Sequence, residues 1–128
     1  MKIAHKIAQI LILFMLTSVS YSIEGWNSGE TLIDHCGATL LLQDIENPTH
    51  EAHVKSVGCL SYLEGVKQLL YKQVFFTKEN NICFPDEGIS NGQAARIVVN
   101  YLNEHPNEIQ EHKLDVVLKS FSYAFPCE

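Results

Sequence analysis

An all-α fold, a compact bundle of about four helices stapled by two disulfides, is what the 128-residue chain predicts. Three observations lead there. Beyond residue 22 the apolar residues recur every three or four positions, the period of a helix face and not of a strand. Asn47-Pro48, the stretch from Pro85 to Gly88, His105-Pro106 and Pro126 then cut that pattern into about four segments. Finally, Cys36, Cys59, Cys83 and Cys127 all lie downstream of an N-terminal export signal, where thiols meet an oxidising compartment and pair.

The signal occupies residues 1–22. Lys2 and Lys6 form its basic start, Ile7 to Leu16 its apolar run, and Ser20 and Ser22 the small residues before a cut that leaves Ile23 as the mature N-terminus. The apolar run is shorter than the roughly 20 residues that span a bilayer, and no comparable stretch follows, so no membrane anchor is expected in the mature form. No cysteine follows the cut directly, which argues against a lipidated N-terminus. Residues 23–128 are enough for one domain with a single core, expected to be soluble in an oxidising compartment.

A first helix starts near Ser28, with Asn27 or Ser28 as its cap, and carries Leu32, Cys36 and Leu40 on one face with Ile33 beside them; it stops before Asn47-Pro48. The second begins after Thr49 and is long. Its band of Val57, Leu60, Leu63, Val66, Leu69, Leu70 and Val74 makes it the expected centre of the core. Gly58 and Gly65 share one face of that helix, where each costs about 1 kcal/mol relative to alanine, so close packing by a neighbour is expected there. From Thr77 to Gly88 the chain reads as a loop pinned by Cys83. A capping box, Ser90 with Gln93, opens the third helix, with Ile89 as a possible staple against Ala94 and a core face of Ala94, Ile97, Val98, Tyr101 and Leu102. His105-Pro106 ends it. A last helix from about Asn107 presents Leu114, Val117, Leu118, Phe121 and Phe125 and ends at Pro126.

Four cysteines allow three connectivities, and their count does not choose among them. The simplest bundle with short connections joins Cys36 to Cys59 and Cys83 to Cys127. If unstrained, bridges closing loops of those lengths stabilise by ~3.5 and ~4 kcal/mol in the loop-entropy picture.

Removing the signal leaves seven basic and fifteen acidic residues, a mature charge of −8 with histidines neutral. Such a surface repels nucleic acid and anionic membranes and steers the protein toward basic partners, besides aiding solubility. Reactive chemistry is thinly represented. No C-x-x-C is present for redox or zinc-knuckle chemistry. His50-Glu51-Ala52-His53 places its histidines three apart, where a zinc-protease helix needs four, so solvated surface groups are the expectation. His35 beside Cys36 invites a nucleophile and base, but neighbours on a helix point apart and a disulfide removes the thiolate. Asp86-Glu87 reads as an exposed acidic loop more than as an acid and base pair. Tyr62, Tyr71, Tyr101 and Tyr123 sit on predicted helices; an exposed one would anchor a partner. No catalytic residue, metal site or cofactor is expected.

Gly58-Cys59-Leu60-Ser61-Tyr62-Leu63-Glu64-Gly65, Ile82-Cys83-Phe84-Pro85, the helix start from Gln93 to Val99, Tyr101-Leu102 with His105-Pro106, and Ala124-Phe125-Pro126-Cys127 together resemble the Rap/Tai immunity family. The resemblance spans nearly all of the mature chain. Ser61 stands where the family block has glycine, a change expected to loosen packing at that turn. The resemblance implies a small exported helical protein that binds and blocks a peptidoglycan amidase toxin delivered by type VI secretion, as a homodimer, without catalysing a reaction. A periplasmic stress or chaperone-like helical protein is the main rival, since five mature histidines and stapled helices also suit acid-triggered exposure of apolar surface. A small hydrolase is a third reading, and it requires a nucleophile and base converging in one cleft. Recognition is expected in the exposed loops, residues 77–88 or 105–107.

Overall fold

The structure, a computed structural model, describes residues 27–72 and 79–128. The segment read as an export signal lies outside the described residues, as do Val74 and Thr77. Four α-helices carry the fold among the described residues: α1 (Gly29–Leu41), α2 (His50–Lys72), α3 (Asn91–Glu104) and α4 (Lys113–Ala124), with a 3-10 turn at Pro106–Glu108. No strand occurs among them. One isolated antiparallel bridge pairs Ser28 with His112.

That bridge changes how α1 begins. Ser28 stands at the cap position in extended conformation, but its side chain makes no capping hydrogen bond. Instead the main-chain amide of Gly29 donates to the Glu111 carbonyl at 2.9 Å and that of Glu30 to the Ile109 carbonyl at 2.8 Å, so a distant turn satisfies two of the orphan donors of the helix start. The expected side-chain cap by Asn27 or Ser28 is therefore replaced by backbone. Gly29 permits the approach: a Cβ there would lie 3.1 Å from the Ile109 carbonyl oxygen and 3.2 Å from both Leu102 and Val116 side chains.

Thr49 caps α2, its hydroxyl accepting from the Ala52 amide at 3.1 Å. The expected central position of this long helix is not found. The α1 helix packs on α2, α3 and α4, and α3 likewise touches the other three, so the middle of the bundle is α1 and α3. On α2 the buried residues are Ser56, Cys59, Leu63, Val66, Lys67 and Leu70, whereas Val57 is 63% and Leu69 46% exposed. The apolar band is thus narrower than its sequence suggests. Lys67 takes part of its place, with its stem buried and its ammonium donating to the Ile89 carbonyl at 2.9 Å and pairing with Glu64 at 3.2 Å.

The two glycines of α2 also part company. A Cβ on Gly58 would sit 3.2 Å from His35 Nδ1, so α1 does approach closely there, but one on Gly65 would meet nothing within 4 Å. Close packing at Gly65 is not what the structure shows. Ser61 is exposed, and a solvent-facing serine has no packing to loosen.

Both bridges of the simplest connectivity are formed: Cys36 with Cys59, joining α1 to α2, and Cys83 with Cys127, tying the loop before α3 to the chain end. Beside the second bridge, the Cys83 amide donates to the Phe125 carbonyl at 2.8 Å. Phe84 anchors this loop, its ring centroid lying 5.0 Å from Tyr71, 5.4 Å from Phe121 and 5.5 Å from Phe125. Tyr71 also fixes the chain through its hydroxyl oxygen, which accepts from the Ile89 amide at 3.0 Å.

The capping box of α3 is complete, Ser90 and Gln93 each accepting from the other's amide. Ala94, Ala95, Val98, Val99, Tyr101 and Leu102 are buried on its inner face, with Ile97 half-buried. The α4 helix starts at Lys113 and not near Asn107, because Pro106–Glu108 forms the 3-10 turn and the following residues bend to meet the start of α1. His112 caps it, Nδ1 accepting from the Leu114 amide at 3.3 Å. Val116, Val117, Ser120 and Phe121 face the core, Leu114 and Leu118 border it, and Val116 is a core residue that the expected face omitted.

Candidate functional site

An open groove of about 790 Å3 runs along the outer side of α4, bordered by the end of α3, the 3-10 turn and Asn80 of the preceding loop. It draws on both loop regions expected to carry recognition, through Asn80 and His105. Two of the four tyrosines singled out in the sequence also meet here.

The aromatic wall is built by spacing. Tyr101 and His105, one helical turn apart at the end of α3, stack with centroids 4.2 Å apart. Tyr123, near the end of α4, sets its ring edgewise to both, at 5.8 Å from Tyr101 and 5.5 Å from His105. Tyr123 is 63% exposed while Tyr101 is buried, so one ring offers a face and the other supports it. The His105 ring is oriented by Nδ1, 2.9 Å from the Tyr101 carbonyl; a carbonyl only accepts, which places a hydrogen on that nitrogen.

The polar wall comes from the 3-10 turn and α4. Tyr101 donates its hydroxyl hydrogen to Glu108 Oε2 at 2.9 Å, and Lys119 reaches the same oxygen at 3.2 Å while also pairing with Glu111. Asp115 lines the groove one turn before Lys119. Burial pulls the Glu108 pKa upward, but hydrogen bonds from Tyr101 and Lys119 outweigh it and hold the carboxyl below its ordinary 4.5. Burial, then the bond to Glu108, pushes the Tyr101 phenol up to about 12. The hydrogen bond to Glu111, followed by that to Glu108, raises Lys119 above 10.5. Three carboxyl side chains, those of Glu108, Glu111 and Asp115, and one amine, that of Lys119, line the groove.

The remaining sequence candidates are scattered. His50 and His53 are exposed on the first turn of α2, and no group of three or more His, Cys, Asp or Glu able to hold a metal ion occurs among the described residues. Cys36 is in a disulfide, so the His35-Cys36 pair has no thiolate to activate, and His35 lies against Gly58. Asp86 and Glu87 are exposed, Glu87 at the rim of a second groove beside Ile89, Arg96 and Phe125. Tyr62 is half-buried under Lys113, whose Nζ is 4.4 Å from the ring centroid. The Glu108, Glu111 and Lys119 network escaped the sequence, because Glu108 and Glu111 lie outside the helix that carries Lys119 and only the turn before α4 brings them to it.

A family model described as Rap1a immunity proteins matches residues 28–127, taking in all four helices, all four cysteines and the whole groove. The chain belongs to the Rap1a immunity protein family. Comparison with curated proteins and with solved structures returned no match. Membership in the Rap1a family assigns an immunity role against a secreted toxin, hence a protein partner, and points to inhibition by binding and not by catalysis. Together with two disulfides, it points to an extracytoplasmic protein. No described helix is long and apolar enough to cross a membrane.

Proposed function

We propose that the chain is a periplasmic immunity protein that binds and occludes a peptidoglycan amidase toxin delivered by type VI secretion. In this reading residues 1–22 are a cleaved signal peptide, 23–128 are the immunity domain, and the working form is a homodimer, as the family resemblance implies. The observation that carries it is the family match over residues 28–127 of a chain whose bundle is locked by two disulfides. A rigid scaffold suits blocking, because contacts that need no reordering lose less entropy on association. The mature charge of −8 supports electrostatic steering toward a basic toxin surface.

The test is protection of cells. A periplasm-targeted amidase encoded beside this chain should lyse cells, the full chain should rescue them, and a chain lacking residues 1–22 should not. Equal rescue by the two forms would overturn the periplasmic assignment, and lysis despite the full chain would overturn the immunity role against that toxin.

A further inference from the structure

The groove along α4 has the chemistry to recognise a particular side chain. We propose that it receives an arginine of the protein partner, the guanidinium lying against Tyr123 and facing the carboxylates of Glu111 and Asp115. The inference rests on the immunity reading for the partner being a protein, and goes beyond it by assigning the surface and the chemistry it selects.

Charge is the first argument. Among the described residues that line the groove, the acidic side chains of Glu108, Glu111 and Asp115 outnumber the basic one of Lys119 by two. Lys119 is already engaged by Glu108 and Glu111, so it braces the acidic wall without cancelling it. Shape is the second. No three of these carboxylates and imidazoles sit closely enough to hold a metal ion, whereas a groove of about 790 Å3 admits a side chain. The third is the aromatic wall. Tyr123 is 63% exposed and held edge-on by Tyr101 and His105, an arrangement that fixes its ring before any partner arrives. A planar cation stacks on such a ring more fully than a lysine ammonium does, and the acidic side chains that line the same groove add to its attraction. An aromatic residue beside a desolvated ion pair is also the composition of interface hot spots.

Tyr123→Ala and Asp115→Arg change exposed positions and should fold normally, which melting of the purified oxidised proteins will show. Binding to the co-encoded toxin is then measured by calorimetry, with Asp44→Arg in the loop after α1 as a charge-matched control. Each groove variant should weaken binding by about 30-fold or more, the loss typical of a hot-spot residue, with the control within about threefold of wild type. Changing one toxin arginine to glutamate should then restore tight binding to Asp115→Arg. Tight binding by wild type and by both groove variants alike would overturn the assignment of this groove while leaving the immunity role in place. Absence of binding by wild type would remove the immunity role itself.

Discussion

An alanine methyl at Gly65 would enter open space in the middle of α2, while a side chain at Gly29 would press on a backbone carbonyl and two core residues. The two glycines should therefore respond oppositely. Gly65→Ala is expected to raise stability by about 0.5–1 kcal/mol, because only the backbone entropy term changes. Gly29→Val is expected to lower it by about 1–3 kcal/mol through overpacking where α1 meets the turn before α4. Urea midpoints of the two variants check both signs. Proton linkage belongs to the same scale. Burial, helped by Asp115 at Tyr62 and Glu108 at Tyr101, pushes both phenols up to about 12. An unfolded tyrosine ionises near pH 10, so the chain loses stability as pH climbs from there through about 12, and keeps it below. Glu108 and Glu64 act at the other end. Burial opposes the shift at Glu108 but its two hydrogen bonds win, while at Glu64 hydrogen bonds from Gln68 and Lys67 depress the pKa. Their contribution is whole above pH 4.5 and disappears as pH falls through the lowered values. Urea midpoints across pH should show a plateau with two falling edges, and Tyr62→Phe with Tyr101→Phe should flatten the alkaline one.

Helices whose boundaries are written in neighbouring residues were legible, and those set by distant contacts were not. Ser90 and Gln93 lie three apart and cap α3 whatever surrounds them, so Ser90→Ala should cost about 1 kcal/mol, measured by chemical denaturation. By contrast, the start of α1 is satisfied by carbonyls of residues 109 and 111, and the start of α4 is delayed by the same turn. Neither partner is visible in a local window. The core face of α2 was misplaced for a related reason. Periodicity gives the width of a band but not where its edges meet a neighbour, and Lys67 enters the core only because Ile89, 22 residues on, presents a carbonyl to it. The aromatic wall of the groove was half legible, since Tyr101 and His105 share a helix face while Tyr123 arrives from another element.

At the scale of the molecule, two covalent ties hold four helices around a core small enough to need them. Replacing Cys36 and Cys59 by serine should destabilise by roughly 3.5 kcal/mol and replacing Cys83 and Cys127 by roughly 4 kcal/mol, if the unfolded chain behaves as the loop-entropy picture holds. Differential scanning calorimetry of the two double variants tests the size and the order. The Cys83–Cys127 pair also fixes the chain end after α4, next to Tyr123, so its loss should loosen the groove as well as the fold.

The central claim is that a rigid folded surface, and no reaction carried out by this chain, disarms a secreted toxin. Titrating the oxidised protein into the amidase proposed above as its target, with peptidoglycan cleavage as the readout, tests it most directly. Cleavage should fall in proportion to the protein added and cease at a fixed stoichiometric endpoint, with both proteins recovered chemically intact. Continued cleavage at saturating protein, or loss of activity at amounts far below stoichiometric, would contradict the account.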